Sequence, residues 1–321
     1  MRKVILGLAL LGTMLMPMAA ADAQDFPNKP IRLIVPFAPG GGNDLIARQL
    51  APQVESQIKQ PVVIDNRAGA NGIIGSQVVA KADPDGYTVL HMSSAFTINA
   101  SVYKKLPFDI LTDFAPVANV GNGTGYVLVV NPKLPIHSVA DLIEYSKKHK
   151  LFYGSPGTGN PIQLCSALFG VAAGIDIEQV QYRGAGPAVT AVMEGSIQFM
   201  FTTPGSVLGH VKGGLLRPIA FAGDKRSVEF PDVPLVQESL KNFHFDGVWH
   251  GWFAPAKTPP QIVEYLNQQV RKAVKDPKLA EGMRKVGYEP QDRSVAEFQA
   301  FVKRSAQDMA AAVKAAKIEP Q

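Results

Sequence analysis

Three consecutive glycines, Gly40, Gly41 and Gly42, separate a short apolar run from an amphipathic one, and no other stretch restricts the fold so strongly. The run before them, Ile31-Arg32-Leu33-Ile34-Val35, is β-branched and bounded by prolines, which suits a buried strand of a parallel sheet. After them, Leu45, Ile46, Leu50, Val54 and Ile58 recur at helical spacing, and Asn43 or Asp44 is placed to cap that helix. The strand therefore meets the helix through a turn with almost no side chains. The first turn of a helix carries unpartnered N–H groups and a partial positive charge, so a small anion fits there, and glycines let it come close. An ordinary βα turn needs only one glycine and a cap. The chain has no Gly-Lys-Ser/Thr for a P-loop, and the glycines lack the spacing of a dinucleotide fingerprint.

Residues 1–23 read as a cleaved secretory signal: Arg2 and Lys3, an apolar run from Val4 to Met16, then Ala21-Asp22-Ala23 before a cut ahead of Gln24. That run is too short to span a bilayer, so the expected product is a soluble protein outside the cytoplasm. About 300 remaining residues suffice for two ordinary domains. Losing Arg2, Lys3 and Asp22 leaves 30 basic against 26 acidic residues, a surplus too small to argue for nucleic acid. Cys165 is the only cysteine, so no internal disulfide forms and a buried thiol is expected. The six histidines show no metal-ligand spacing. No catalytic nucleophile, acid pair or cofactor motif stands out.

Strand and helix alternate along the rest of the chain. Pro61 to Asp65 is a second strand, followed by a glycine-bearing turn, Asn66 to Gly72, that contains Asn71. Tyr87 to Met92 is a third strand and runs out at Ser93-Ser94, the edge where open parallel sheets hold ligands. Pro52 predicts a break or bend in the first helix. Asp109 to Val120 reads as irregular, and Tyr126 to Val130 starts a fresh strand. The opening theme then repeats: Leu151 to Tyr153 feeds the turn Gly154-Ser155-Pro156-Gly157-Thr158-Gly159-Asn160, and Glu178 to Tyr182 feeds Arg183-Gly184. Ile197 to Phe201 leads into Thr202-Thr203 in the same way. Trp249 and Trp252 fit a late strand and its core, and the tail is helical, with a capping box at Ser294 and Glu297. This alternation implies parallel sheets flanked by helices, and two similar anion-type turns in different halves imply two lobes facing a cleft.

The residues resemble the Bug family, the periplasmic solute receptors of tripartite tricarboxylate transport systems. The matching stretches are Pro36 to Asp44 with Ala47-Arg48, Asn66 to Gly72 with Ile74-Gly75, Ala80 to Thr88, Tyr153-Gly154-Ser155 with Gly157 and Gly159, Tyr182-Arg183-Gly184, and Trp252 to Ala256 with Thr258-Pro259. The resemblance implies an α/β Venus-flytrap fold of type II, with parallel-rich sheets and two interlobe crossings. One lobe would comprise residues 24–121 plus 246–321 and the other 122–245. It further implies that a ligand carboxylate is held by backbone groups and ordered water from the turn Phe37 to Asp44, with Phe37, Pro39, Gly40, Gly41, Gly42, Asn43 and Asp44 among its residues, and from Gly154 to Asn160. Asp44 ends the first stretch and is read as a helix cap, since a carboxylate facing a bound carboxylate would repel it.

Arg183, in a glycine turn at a strand end, either pairs with a carboxylate in bidentate fashion or is solvated or salt-bridged like most arginines, and Phe37 either walls the pocket or packs under the turn. Where the family has His-Leu and a Glu, this chain has Gln163-Leu164 and Ala167, and Gln198-Phe199 stands where an acidic residue is usual. Those departures change either the ligand class or only surface chemistry; Gln163 and Ala167, with Phe37 and the scarcity of charged candidates, make a ligand with one carboxylate and a neutral remainder the expectation. The expected protein is a monomeric periplasmic receptor for a small organic carboxylate, needing no cofactor, that hands its ligand to membrane permease subunits. A sensory module presenting its closed form to a sensor kinase would need the same pocket, and an enzyme lacks its constellation.

Overall fold

In the computed structural model, residues 26–245 and 247–320 are described, and the signal sequence expected over residues 1–23 lies outside them. The chain opens with β1 (Ile31–Val35), α1 (Gly42–Ile58), β2 (Val62–Asn66), α2 (Ile73–Ala80), β3 (Thr88–Ser93), α3 (Ala95–Val102) and β4 (Phe114–Gly123). A second series follows: β5 (Tyr126–Val130), α4 (Val139–Ser146), β6 (Leu151–Ser155), α5 (Pro161–Ala173), β7 (Ile177–Gln181) and α6 (Ala185–Glu194). It is completed by β8 (Phe199–Thr202), α7 (Pro204–Lys212), β9 (Arg217–Ala222) and α8 (Val236–Ser239). The last series is β10 (Trp249–Pro255), α9 (Pro260–Val274), α10 (Pro277–Lys285), β11 (Tyr288–Pro290) and α11 (Val295–Ala315).

Among the described residues these strands make two sheets, ordered β11-β4-β10-β3-β1-β2 and β7-β6-β8-β5-β9. The first and last series therefore build one lobe and the middle series the other. β1, β2 and β3 run parallel, as do β6, β7 and β8. β10 opposes β3 and β4, β11 opposes β4, and β5 opposes β8 and β9. The reversals at β5 and β10 follow from the route of the chain. A segment arriving from the other lobe enters its sheet at the cleft edge, so its strand must run away from the cleft while the βα strands run toward it.

The first crossing is short, only Thr124-Gly125 between β4 and β5, and Gly125 is there for conformation as well as space. Its φ is 139°, and a Cβ would lie 2.1 Å from the Ala222 carbonyl oxygen. The sequence reading missed β4, because Pro116, within Asp109 to Val120, speaks against a strand. The sheet absorbs Pro116 at a register shift against β10, where Trp252 pairs with Ala118 but Phe253 with Pro116. Nor does Pro52 break α1, which is helical throughout. Pro52 is on the exposed side, and the buried face made by Ile46, Ala47, Leu50, Ala51, Val54 and Ile58 holds the helix across the lost hydrogen bond.

Each lobe has its own core. Leu33, Val35, Leu50, Trp252 and Leu266 pack in the first lobe, and Leu128, Phe169, Phe199, Phe201 and Phe221 in the second. Cys165 is a buried free thiol in the latter. Burial of one such large side chain contributes about 1.5–3 kcal/mol, so each core supports its own lobe. A smaller cluster joins them: Ile98, Val102, Met309 and Val313 of the first lobe meet Leu164 of the second. Beside it Tyr103 donates to the Thr158 carbonyl (3.3 Å) and Asn160 Nδ2 donates to Asn71 Oδ1 (3.3 Å). Among the described residues no helix is long and apolar enough to cross a membrane.

Candidate ligand site

A cavity of about 770 Å³ separates the lobes, and both contribute to its wall. From the first lobe come Phe37, Pro39, Gly40, Gly41, Gly42 and Asn43 before and at the start of α1, with Asn71 and Ser93 after β2 and at the end of β3. From the second come Pro156 and Asn160, then Arg183 and Gly184, then Thr202 and Thr203. All of these were singled out from the sequence. Phe37 does both things considered for it, lining the cavity and packing on the cluster around Ile34, Met92 and Phe96. Arg183 is exposed and, among the described residues, is the only lining side chain with a full formal charge.

At the start of α1 the N-cap is Gly41, with no side-chain cap, so the capping expected of Asn43 or Asp44 does not occur. Asp44 instead points back beneath the turn. Its Oδ2 accepts from the Gly40 N–H (2.9 Å) and from Arg48 Nε (2.8 Å), and its Oδ1 accepts from Asn66 Nδ2 (3.0 Å). Asn66 Nδ2 also donates to the Phe37 carbonyl, so one polar cluster ties both flanks of the turn. Burial pushes the Asp44 carboxyl up, but the hydrogen bonds from Arg48, Gly40 and Asn66 outweigh it and hold the group below its ordinary value. Asp44 is thus a support under the turn and not part of the cavity wall. The N–H groups of Gly41, Gly42 and Asn43 have no hydrogen-bond partner among the described residues, and all three residues line the cavity.

The expected counterpart, Gly154 to Asn160, is built differently. Gly159 N–H donates to Gln163 Oε1 (2.8 Å), Gln163 Nε2 to Gln179 Oε1 (2.9 Å), and Gln179 Nε2 to Ser155 Oγ (2.6 Å). Gly157 N–H also goes to Ser155 Oγ, and Asn160 Oδ1 caps α5 by accepting from Ile162 N–H. Pro161 has no N–H to offer. Ser155, Gly157, Thr158, Gly159 and Gln163 consequently lie behind the wall. Gly154 packs under α6, where a Cβ would meet Ala188 Cβ at 2.9 Å, and Ser94 is buried at the start of α3 with its N–H on the Trp249 carbonyl. The second lobe's unpartnered N–H groups belong to the next turn, Arg183, Gly184, Ala185 and Gly186, where α6 also starts without a side-chain cap.

Several lining residues gave no signal in the sequence. Tyr126, Val248, His250 and Tyr288 come from segments far apart in the chain, which the two crossings gather at one corner. Tyr288 Oη lies 3.3 Å from the place a Cβ would take on Gly42. The His250 ring stands edge-on to Tyr288 (4.8 Å) and is stacked at 5.2 Å on His91. Both imidazoles are fully enclosed and neither nitrogen of either ring has a hydrogen-bond partner among the described residues. Burial holds His91 down to about 3, against a weaker opposite pull from Asp44, and burial followed by the charge of His91 holds His250 well below its ordinary value. Both rings are therefore neutral at physiological pH. Thr202, 1 % exposed, also lacks a partner for its Oγ1.

A family model described as the tripartite tricarboxylate transporter family receptor matches residues 46–318. Protein BugT of Bordetella pertussis is 35% identical over 276 residues, covering 85% of this chain and 84% of its own. A solved structure of Rhodopseudomonas palustris Rpa4515 with adipate superposes with a TM-score of 0.88 at 30% identity, covering 92% of this chain and all (100%) of that one. MatC (Rpa3494) from the same organism, with bound malate, gives 0.83 at 27% identity, covering 90% and 100%.

Proposed function

The chain belongs to the tripartite tricarboxylate transporter receptor family, and from that membership we propose that it is a periplasmic receptor that binds a small organic carboxylate reversibly and delivers it to a membrane permease. The observation that carries this reading is the pair of uncapped helix starts, α1 on one lobe and α6 on the other, whose unpartnered N–H groups border one cavity. Such groups stabilise an anion without a resident cation. Adipate and malate, held by two similar proteins, are both small carboxylates. Binding takes place without turnover and closes the lobes over the ligand.

In this reading residues 1–23 are removed on export. The lobes span 24–121 with 246–321, and 122–245, a division that the strand membership of the two sheets supports except at Asn122 and Gly123, which end β4 and pair in the first sheet. The receptor works as a monomer and needs no cofactor. The test is a thermal-shift screen of refolded mature protein against carboxylates and their amides. A ligand at 100 times its Kd stabilises the fold by about 2.7 kcal/mol, a shift of several degrees. The receptor reading requires one carboxylate class to raise the melting temperature while its amides do not. Absence of any shift across a broad panel sinks it.

A further inference from the structure

Resting on the receptor reading, we propose that the corner of the cavity at the lobe crossings takes an uncharged hydrogen-bonding group of the ligand, selected by Thr202 and His250, and not a carboxylate. The corner is assembled from both lobes. Thr202 ends β8 and pairs with Val127, next to Tyr126, while His250 lies on β10 beside Ser93. The start of α7 packs on the chain leading into β11: a Cβ on Gly287 would stand 3.2 Å from Pro204 Cδ. Tyr288 is thereby brought between His250 and the start of α1.

The corner brings unfilled hydrogen-bonding capacity from both lobes to one stretch of the cavity wall. Thr202 Oγ1 and both His250 nitrogens are buried without a partner, and each residue lines the cavity. Leaving such groups dry and unpaired is costly, so a ligand atom or an ordered water must meet them, and a ligand group of matching chemistry can take the water's place. A neutral imidazole offers one donor and one acceptor nitrogen, and a threonine hydroxyl both donates and accepts. That mixed set complements a hydroxyl, carboxamide or ring nitrogen. A carboxylate only accepts, and here it finds no counter-charge.

The nearest helix start does not supply one either. At α7, Pro204 has no N–H, Gly205 packs against Val286 and does not line the cavity, and the Ser206 N–H is already on the Thr203 carbonyl. Nor is the Thr203 hydroxyl free, being engaged with Ser206 Oγ. A second carboxylate would be buried among neutral rings without compensation. The carboxylate itself belongs at Gly41 to Asn43, where N–H groups are unpartnered.

Matched probes test this by titration calorimetry: benzoate, 4-hydroxybenzoate and terephthalate, with hexanoate, 6-hydroxyhexanoate and adipate as a flexible series. The proposal requires the hydroxy acid of at least one series to bind at least tenfold more tightly than both its dicarboxylate and its unsubstituted acid. In Thr202→Val, which keeps the side-chain volume, the preference for hydroxyl over hydrogen should fall to within twofold. His250→Phe should act in the same sense, and if that variant does not fold the valine variant decides alone. Dicarboxylates binding as tightly as the hydroxy acids, or an unchanged preference in Thr202→Val, would overturn the proposal and leave the receptor reading standing. If neither series nor the wider carboxylate panel binds, the receptor reading falls and the corner assignment with it.

Discussion

At the start of α1 the N–H groups of Gly41, Gly42 and Asn43 border the cavity unpartnered, whereas at the start of α5 those of Gly157, Gly159 and Ile162 are bonded to Ser155, Gln163 and Asn160. In sequence the two turns look alike, each a strand end followed by glycines and a helix. The difference lies in where the supporting side chains point. Asp44 reaches backward and takes only the Gly40 N–H, leaving the helix start open. Gln163 reaches forward over its own turn and places an amide oxygen on Gly159, where an anion would otherwise sit. Glycine content thus announces a tight backbone, but the surrounding side chains decide whether that backbone is left free to bind.

The largest effect is expected from Asp44→Ala. It strips the carboxylate from Gly40 N–H, Asn66 Nδ2 and Arg48 together, and leaving buried donors unpaired costs about 2–4 kcal/mol in all. A melting temperature several degrees lower, with the weaker affinity of a turn that has lost its support, is the expected result. An unchanged melt would mean that the first turn stands without Asp44. Next comes Gln163→Leu, which orphans the Gly159 N–H and one end of Gln179 at about 1–3 kcal/mol. Here stability should fall while affinity for a stabilising carboxylate changes less than threefold. The reverse pattern, a tenfold loss of affinity at unchanged stability, would make the second turn an anion seat after all.

Arg183→Gln sharpens the contrast from the other side. Arg183 is exposed on the open turn before α6, so its loss should leave the melting temperature in place and weaken carboxylate binding about three- to tenfold. Equal affinity for charged and neutralised protein would remove Arg183 from the site.

Much of this was legible because it is local. β1 and the glycines that follow it, the helix start at Asn160-Pro161 and the capping box at Ser294 each depend on residues within a few positions of one another. The role of Gln163 was not legible, because it is fixed by Gln179 and Ser155 on two other strands. The crossing corner was still less accessible. Tyr126, Thr202, His250 and Tyr288 sit in four separate elements, and only the sheet order places them together. β4 was hidden by Pro116, which is compatible with a central strand only because a register shift in β10 accommodates it.

The smallest expected effect is also the most selective, because only one of the two turns rests on an ionisable group. The Asp44 carboxyl is held below its ordinary value in the fold, so the unfolded chain takes up a proton there at higher pH than the folded one does. Its contribution to stability is therefore complete above the unfolded value of about 3.9 and is lost as the pH falls through the lower folded value. Ser155, Asn160, Gln163 and Gln179, which hold the other turn, do not titrate in that range. Followed by NMR in acid, the Gly40 amide resonance should move with the Asp44 titration while Gly159 stays still, and in Asp44→Asn the Gly40 shift should become flat with pH. Movement of both amides together would mean that the turns are supported by one coupled network, and the distinction between an open turn and a self-filled one would not stand.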